Sequence, residues 1–521
     1  MSWSSYLLRD PLAQSACQTP PVRAGILRTT VRDNIPSPVT PSPHRGSLLW
    51  FLVASAALFA GLVAYSQTYA FAWDEGFHLL AAQLIKNGHR PYLDFAFAQT
   101  PLNAYFNAFV LRLLGESWRQ IQFIDALLTT AAVMLAAGFL RSRFEGWGTP
   151  TLIAVLYFVG ANLETVKNGT IGQAYALGLL LIVASFRLAV SSLEHDRPLP
   201  AALAGLLAGA AAGSTLLTAP AAPVLLLWSF LLSPSGKKFS RALLFLAGAV
   251  VSWIPLIALF AQSPARFIFD VFRYHIFFRR SDWPGATQHD LEIFASWIDN
   301  PQVILLVSLA VAGLWFVAKK SGWDRLRRQQ FYLCGYLAAA LALHVSTAHP
   351  TFPMYYIFTS PFLGILAAVG LFSVSTQMGI RRALWPTLAV GLLTCLGLAK
   401  SIYEESDKDT WPKMEAVARQ VDAVTPAGAA LYADEPTYFV TRRTPPPGNE
   451  YISSHKLRLP PGLSELVHIT PQPEFDGRIA AGTYDTLETC DDEDWIKNRK
   501  LEEIYGQKKQ VGDCWIFWGK K

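Results

Sequence analysis

Residues 47–78 read SLLWFLVASAALFAGLVAYSQTYAFAWDEGFH, an apolar run that ends in two adjacent acids, Asp74 and Glu75. The run from 47 to 69 is long enough to cross the hydrocarbon core of a bilayer, for which a helix needs about 20 apolar residues. Acidic side chains are costly near hydrocarbon and are rarely found there without a partner or a task. The acid pair at the end of this first span is therefore the first candidate for chemistry.

Further apolar runs indicate that most of the chain is embedded in a membrane. Of the 521 residues, 52% are hydrophobic and 16% are charged, against roughly 25% charged in an ordinary soluble domain. More candidate spans follow at residues 121–140, 150–160, 172–190, 199–218, 219–232, 243–261, 303–318, 331–345, 354–374 and 382–399. The sequence therefore predicts a polytopic α-helical membrane protein with about eleven spans.

The basic residues between these spans predict the orientation of the chain. Short cytoplasmic loops carry an excess of positive charge, and the loops that hold Arg141, Lys237 and Lys319 are basic. We expect these loops and the N-terminus in the cytoplasm. The loop 70–119 and everything after residue 400 should lie on the outer face of the plasma (inner) membrane. The formal net charge of +6 then reflects topology, and nucleic acid is not expected as a partner.

Three segments of different composition divide the chain. Residues 1–46 are basic and rich in Pro, which predicts a disordered cytoplasmic tail. Residues 47–400 hold the spans and a large first outer loop, 70–119. Residues 401–521 have the pattern of a small soluble α/β domain on the outer face. In this last segment we expect a helix at 413–424 and strands at 429–433, 438–441 and 515–518.

Two of the five cysteines, Cys490 and Cys514, fall in the last segment. Disulfides form and persist in oxidising compartments outside the cytoplasm. The predicted topology therefore favours a disulfide between these two residues over two buried free thiols.

The predicted outer loops carry charges of both signs. A reaction that uses a lipid-linked phosphate donor needs a carboxylate to take a proton from the attacking hydroxyl, and cations to hold the leaving phosphate. No Gly-rich nucleotide-binding loop stands out, which argues against a nucleotide-sugar donor. Besides the acid pair, the candidate substrate-binding residues are Asp94, Glu164, Lys167, Arg273, His275, Arg279, Arg280, His349 and Tyr355.

Three short motifs follow the first span: Trp73-Asp74-Glu75-Gly76, Pro91-Tyr92-Leu93-Asp94 and Gln99-Thr100-Pro101-Leu102. With the predicted spans and outer C-terminal domain, they resemble the multi-span GT-C glycosyltransferases. Within that class the chain is most similar to the group with the protein O-mannosyltransferases and the aminoarabinose transferases acting on lipid A. The resemblance implies a polyprenyl-phosphate sugar donor and a glycan, lipid or protein hydroxyl as acceptor. It also implies that Asp74 is the catalytic carboxylate and that Glu75 supports geometry or acceptor binding.

Two positions depart from the pattern of the aminoarabinose transferases. Phe77 stands where those relatives have an Arg, and Gln99-Thr100 stands where they have a Lys before the Pro. Two expected phosphate-binding cations are therefore missing. Their task passes to Lys167 or to the basic cluster of Arg273, His275, Arg279 and Arg280.

Each assignment has a simpler alternative. The acid pair is also placed to cap the helix that follows it. Asp94 is suited to cap a turn, and the charges of Glu164 and Lys167 are ordinary for an outer loop. The basic cluster is equally suited to contact lipid headgroups, and Tyr355 to belong to an interfacial aromatic belt.

Two further alternatives concern a metal and the class of protein. Asp74 and His78 share a helix face, so a divalent ion could bridge them to His289-Asp290, although the sequence requires no cofactor. A lipid-linked sugar transporter or flippase without transferase activity would also have many spans. Such a protein more often shows polar or broken segments near the middle of the membrane. A non-enzymatic scaffold would need no acid pair.

Overall fold

Helices make up most of the chain. The structure is a computed structural model, and it describes residues 45–143, 148–279, 285–319, 322–380, 384–404, 406, 409–451, 457–460, 462–491 and 493–521. Arg45–Lys521 forms one compact unit. The predicted site residue Arg280 and nearly all of the predicted tail, residues 1–46, lie outside the described residues.

Seven helices in the described part of the chain are long and apolar enough to cross a membrane. They are Leu48–Thr68, Trp118–Arg141, Tyr175–Glu194, Ser235–Gln262, Pro301–Lys319, Pro353–Gln377 and Leu384–Glu404. Shorter apolar helices are Leu102–Leu114, Gly148–Gly160, Leu199–Ser214 and Leu216–Leu232. The polytopic helical fold is thus confirmed, while the predicted number of spans, about eleven, stays a prediction.

Other helices before residue 409 are Trp73–Lys86, Leu163–Asn168, Pro264–Ile268, Phe269–Phe278, Ala286–Asp299 and Arg325–Ser346. The last of these contains the predicted span 331–345, but its first turns are basic. Phe269–Phe278 is a π-helix, a rare conformation that is often found at functional sites. It is called the cavity helix from here on.

Several of the loops predicted to be cytoplasmic meet at one end of the long helices. Arg143 forms a 2.5 Å ion pair with Glu194, and Gln330 donates a 2.8 Å hydrogen bond to the same carboxylate. These residues stand at or next to one end of the helices Trp118–Arg141, Tyr175–Glu194 and Arg325–Ser346. The opposite ends of the last two helices carry Tyr175 and His344, which line a large cavity. The polar cluster and the cavity therefore lie at opposite ends of these helices.

The acid pair lies on the helix Trp73–Lys86, here called the site helix. Its cap residue, Ala72, has an extended backbone and makes no side-chain hydrogen bond, so neither acid is the N-cap. Asp74 and Glu75 instead occupy the first turn, where the helix dipole favours negative charge. Residues 75–84 are all buried, so the site helix is an internal element whose position is set by packing.

The C-terminal region, residues 409–521, combines short helices with a four-stranded sheet. The strands are β1 (Leu431–Tyr432), β2 (Thr486–Thr489), β3 (Tyr505–Val511) and β4 (Cys514–Lys520), in the order β1-β2-β4-β3. β1 and β2 are parallel, and the other two pairs are antiparallel. The helices are Trp411–Val424, Glu435–Thr441, Leu463–Val467, Gln472–Ala480, Glu493–Asn498 and Leu501–Ile504.

These bounds confirm the helix predicted at 413–424 and the strands predicted near 429–433 and 515–518. The strand predicted at 438–441 is wrong, because these residues end the helix Glu435–Thr441. Pro436 stands in the first turn of that helix, where a proline is well tolerated and favours helix initiation. Neither β2 nor β3 was predicted from the sequence: β2 has four residues, all buried, and the central residues of β3 are polar and exposed and so lack an apolar alternation.

The C-terminal region packs directly on the site helix. A Cβ atom at Gly76 would lie 2.5 Å from the ring of Pro436, so a glycine is needed for this approach. Gln83 Nε2 donates a 3.1 Å hydrogen bond to the carbonyl oxygen of Phe439. The region therefore helps to hold the site helix in place.

Cys490 and Cys514 form a disulfide across a sequence separation of 24 residues. Closing a loop of that size contributes roughly 3 kcal/mol in the chain-entropy account. We expect Cys514→Ser to destabilise the C-terminal region by about this amount, measured as a lower melting temperature without reductant. Cys395→Ser changes an exposed free thiol and serves as the matched control. Equal melting temperatures for the two variants would contradict this expectation.

Candidate active site

A cavity of about 660 Å³ lies between the site helix, the cavity helix and segments from five other parts of the chain. This size is within the range of roughly 300–1,000 Å³ that is usual for ligand sites. Its polar lining residues are Asp74, His78, Gln99, Thr100, Gln173, Tyr175, Thr215, Tyr274, His275, Arg279, His344, Thr347, His349, Tyr355 and Tyr451. Apolar lining residues include Phe77, Val271, Phe272 and Ile276.

Asp74 and Glu75 have different surroundings although they are adjacent in sequence. Successive residues of an α-helix point about 100° apart, because a turn takes 3.6 residues. Asp74 faces the cavity and its side chain is exposed there, although the surrounding protein reduces its contact with bulk water. Burial raises the pKa of Asp74 above its usual range, and the positive charge of Arg279 opposes part of that rise. A carboxylate with a raised pKa is a stronger base than one in water.

Glu75 points into the protein and is 0% exposed. Its carboxylate accepts hydrogen bonds from the backbone N–H of Gly172 at 2.6 Å, from Gln122 Nε2 at 3.0 Å and from Trp411 Nε1 at 2.8 Å. Burial raises the pKa of Glu75 to about 7, and these hydrogen bonds oppose the rise. Glu75 thus joins the site helix to a long helix, to the segment before Tyr175 and to the C-terminal region. This geometry favours a positioning role over acceptor binding.

Arg279 supplies positive charge to the cavity lining. It follows the cavity helix directly, and its Nη2 donates a 3.1 Å hydrogen bond to the hydroxyl oxygen of Tyr355. Its guanidinium carbon lies 5.3 Å from the ring centre of Phe352, which restricts the orientation of the side chain. The cavity therefore has an acidic side at Asp74 and a basic side at Arg279.

Two histidines that line the cavity are held by protein partners. His275 Nε2 lies 2.7 Å from the carbonyl oxygen of Ala98, so Nε2 must be the donor, and Nδ1 has no proton when the ring is neutral. Burial lowers the pKa of His275 to about 4, and nearby Arg279 adds to that effect. His349 Nδ1 pairs with the carboxylate of Asp290. Both rings are thus oriented before any substrate binds.

Four residues predicted from the sequence to bind substrate do not line the cavity. Asp94 forms a largely exposed pair with Arg90 at 3.1 Å, and this hydrogen bond lowers the pKa of Asp94. Arg273 is exposed on the cavity helix, and Glu164 lies outside the lining. Lys167 borders a separate cavity of about 70 Å³. The structure brings Asp74, His275, Arg279, His349 and Tyr355 together around the main cavity.

Several lining residues were not identified from the sequence. They include Gln173, Tyr175, Tyr274, His344 and Tyr451. The hydroxyl of Tyr451 lies 3.1 Å from that of Tyr274, and its ring centre lies 4.5 Å from that of Phe77. Tyr451 belongs to the C-terminal region, and no local motif links it to the acid pair. Gln99 and Thr100, which stand where a Lys was expected before Pro101, also line the cavity.

The described residues do not bring the suggested metal ligands together. Within the described ranges, the group of potential ligands close enough to hold an ion is Glu488, Cys490 and Cys514. Its two cysteines are joined in the disulfide. Asp290, suggested as part of a bridge to Asp74, instead pairs with His349.

No protein-family model matches the sequence, and no curated protein matches it. Among solved structures, the chain is similar to ArnT from Cupriavidus metallidurans bound to undecaprenyl phosphate. The identity is 13% and the TM-score 0.63, over 91% of this chain and 98% of that chain.

Two other solved structures are less similar. An oligosaccharyltransferase of Archaeoglobus fulgidus, in complex with zinc and sulfate, matches with 12% identity and a TM-score of 0.48, over 88% of this chain and 71% of that one. A protein O-mannosyltransferase complex of S. cerevisiae bound to the sugar donor matches with 18% identity and a TM-score of 0.35, over 44% and 35%. The match to ArnT spans nearly all of both chains, so it shows a shared architecture. The chain has the GT-C glycosyltransferase fold.

Proposed function

We propose that the protein is an integral membrane glycosyltransferase that moves a sugar from a polyprenyl-phosphate donor to a hydroxyl group of a glycan, lipid or protein. The observation that carries the proposal is the cavity in which the Asp74 carboxylate and the Arg279 guanidinium face the same space. Sugar transfer from a phosphate-linked donor needs this pair of charges, one for the proton and one for the leaving phosphate.

Asp74 acts as the general base. The acceptor oxygen attacks the anomeric carbon, and its proton passes to the Asp74 carboxylate. A new C–O bond forms while the bond from the anomeric carbon to the phosphate oxygen breaks, and the electron pair leaves with the phosphate. The raised pKa of Asp74 makes it a better proton acceptor near neutral pH, provided that it is ionised when the acceptor binds.

Arg279 and Tyr355 hold the phosphate. A guanidinium binds phosphate oxygens through two parallel N–H donors, and these charge-assisted hydrogen bonds are stronger than neutral ones. The 3.1 Å hydrogen bond to Tyr355 orients the guanidinium beforehand. Phe272 and Ile276, half exposed on the cavity helix, provide an apolar path for the first isoprene units.

The site faces the outer side of the membrane in this proposal, with the N-terminus in the cytoplasm. The support is the arrangement of the long helices, which places the basic loops and the cavity at opposite ends. Basic loops are enriched on the cytoplasmic side. The C-terminal region then lies outside, where its disulfide is stable.

Replacing Arg279 should weaken donor binding. We expect Arg279→Gln to raise the KM for the donor by roughly 10- to 100-fold, because charge-assisted hydrogen bonds to the phosphate are lost. Arg279→Lys should recover part of this loss. Arg273→Gln, an exposed position on the cavity helix, is the matched control and should keep the wild-type KM. Similar donor KM values for the Arg279→Gln and Arg273→Gln variants would rule out the phosphate role.

Arg279→Gln also tests the electrostatic interaction between Arg279 and Asp74. Arg279 lowers the pKa of Asp74, so removal of its charge should raise that pKa further. Because the base must be ionised, activity falls as the pH drops through this pKa. The acid limb of kcat/KM should therefore move to higher pH in Arg279→Gln and stay in place in Arg273→Gln.

The direct test uses purified protein in proteoliposomes with radiolabelled polyprenyl-phosphate sugars and extracts of glycan, lipid and protein acceptors. Transfer of label to an acceptor supports the proposal. Movement of the labelled lipid between leaflets without any transfer would overturn it in favour of a lipid-linked sugar flippase.

A further inference from the structure

The cavity lining includes the ring of a histidine–aspartate pair. His349 Nδ1 pairs with one carboxylate oxygen of Asp290, and the other oxygen accepts a 2.7 Å hydrogen bond from the backbone N–H of Thr351. A carboxylate oxygen only accepts hydrogen bonds, so Nδ1 is the donor and carries a proton. Asp290 lies on the helix Ala286–Asp299 and therefore fixes the orientation of the His349 ring from a neighbouring element.

The second nitrogen of the ring, Nε2, lies on the side that is open to the cavity. The side chain of His349 is 27% exposed, whereas that of Asp290 is 13% exposed. Because Asp290 covers Nδ1, the exposed part of the ring is the edge away from Asp290, and this edge includes Nε2. A protonated Nε2 is a hydrogen-bond donor, and the ring then carries a positive charge opposite the carboxylate of Asp290.

His349 stands on the same short segment as the groups that contact Arg279. The ring centre of Phe352 lies 5.3 Å from the guanidinium carbon of Arg279 and 5.5 Å from the ring centre of Tyr355. The backbone N–H of Tyr355 also donates a 3.1 Å hydrogen bond to the carbonyl oxygen of Phe352. His349, Tyr355 and Arg279 all line the cavity. One segment therefore brings both the histidine and the tyrosine to the basic side of the cavity.

The phosphate gains negative charge in the proposed reaction. A polyprenyl-phosphate sugar is a phosphodiester with a single negative charge. When the bond from the anomeric carbon breaks, the electron pair stays on the phosphate oxygen, and the product is a phosphate monoester. Such a monoester carries a charge of about −1.5 to −2 at pH 7. A positively charged donor at this oxygen would therefore stabilise the transition state more than the bound substrate.

We propose that His349, with both ring nitrogens protonated, donates a hydrogen bond from Nε2 to the phosphate oxygen that is released, an inference that rests on the proposed function. The proton stays on His349, since a hydrogen bond to the leaving oxygen is sufficient. Asp290 is a positioning residue, because it holds Nδ1 and balances the charge of the ring. Such charge-assisted hydrogen bonds are stronger than neutral ones. His349 then makes the phosphate site prefer the product monoester over a diester.

The test measures equilibrium binding of two probes to the full-length protein in nanodiscs. The probes are a short-chain polyprenyl phosphate, which is a monoester, and its methyl ester, which is a diester of the same chain. We expect the wild type to bind the monoester roughly 10- to 100-fold more tightly. His349→Gln keeps an N–H donor but no charge, and should reduce this preference roughly tenfold. Asp290→Asn should reduce it in the same direction, and His349→Lys should retain part of it.

A second measurement uses sugar transfer in proteoliposomes. His349→Gln should lower kcat more than it raises the KM for the donor, because the additional charge forms only as the bond breaks. His89→Gln is the matched control, since His89 is exposed and does not line the cavity. This control should keep both the wild-type binding preference and the wild-type kcat.

Three results would overturn the inference. The first is an unchanged preference in His349→Gln. The second is equal weakening of both probes, which would give the pair a structural role only. The third is a lower kcat with an unchanged preference, which would make His349 a base. Melting temperatures show which variants are folded, and Asp290→Asn decides if His349→Gln is not. A preference that depends on His349, without transfer of any sugar, would support the phosphate contact and count against the proposed function.

Discussion

Asp74→Asn should abolish nearly all sugar transfer while leaving the protein folded. General base catalysis contributes about 100- to 10,000-fold to a rate, and an amide of the same shape cannot take the proton of the acceptor. Asp74 faces the cavity and its side chain is not needed to cap the site helix, so the substitution removes little structural support. The expected result is a fall of at least 100-fold in kcat with a nearly unchanged melting temperature.

This prediction is measured by transfer from a radiolabelled polyprenyl-phosphate sugar in membranes with matched expression. Asp94→Asn is the control. Asp94 is another carboxylate of the predicted first outer loop, 70–119, but it does not line the cavity. Normal transfer by Asp74→Asn would remove Asp74 from the mechanism. Equal losses in both variants would point to a general effect on the loop instead of to a base.

Glu75→Ala should have the largest effect on stability. The substitution removes the acceptor shared by Gly172, Gln122 and Trp411, although Gln122 Nε2 keeps its 3.0 Å hydrogen bond to the carbonyl oxygen of Ala70. The two donors left fully unpaired, at Gly172 and Trp411, cost about 1–3 kcal/mol each, which is a total of roughly 2–6 kcal/mol. Because these donors belong to three different segments, we expect the C-terminal region to separate from the site helix and transfer to be lost with it.

Glu75→Gln removes the charge of the side chain but not all of its hydrogen-bonding capacity, so it tests the two contributions separately. An amide keeps one acceptor oxygen, but its NH₂ group then faces either the Gly172 N–H or the Trp411 indole N–H. We expect an intermediate loss of about 1–3 kcal/mol, measured by the melting temperature in detergent. Asp94→Ala breaks an exposed ion pair and should cost less than about 1 kcal/mol. Wild-type melting temperatures for both Glu75 variants would show that the buried acceptor is dispensable.

The pH dependence of stability gives a second measurement on Glu75. Its pKa is about 7 in the folded protein and 4.5 as the ordinary value, so the folded state binds the proton more strongly. The contribution of Glu75 to the free energy of unfolding is fully present below pH 4.5 and is lost as the pH rises through about 7. The size of the change is about 3 kcal/mol. The melting temperature of the wild type should fall over this window, and Glu75→Gln should lack that part of the fall.

The sequence was sufficient to predict a helical membrane protein and to single out Asp74, which lines the cavity. Apolar runs of membrane-spanning length report helices directly, because each helix satisfies its own backbone hydrogen bonds in lipid. The acid pair was conspicuous for a different reason, which is that acidic side chains are costly close to hydrocarbon. The short strands of the C-terminal region were harder to identify. β3 is exposed and polar, so no hydrophobic alternation marks it, and its place in the sheet depends on pairing with β4.

What the sequence by itself determined was the type of group at the site: an acid beside the first span, and basic candidates far along the chain. Only the tertiary structure decided which of these side chains face the cavity and which are buried in the protein. It turned Asp74 toward the cavity and Glu75 toward three buried donors, a difference of one helical position. Arg279 lines the cavity and Arg273 does not, while Gln173 and Tyr451 reach the cavity from distant segments. The physical reason is that an enclosed site is assembled by long-range packing, which local sequence patterns do not encode.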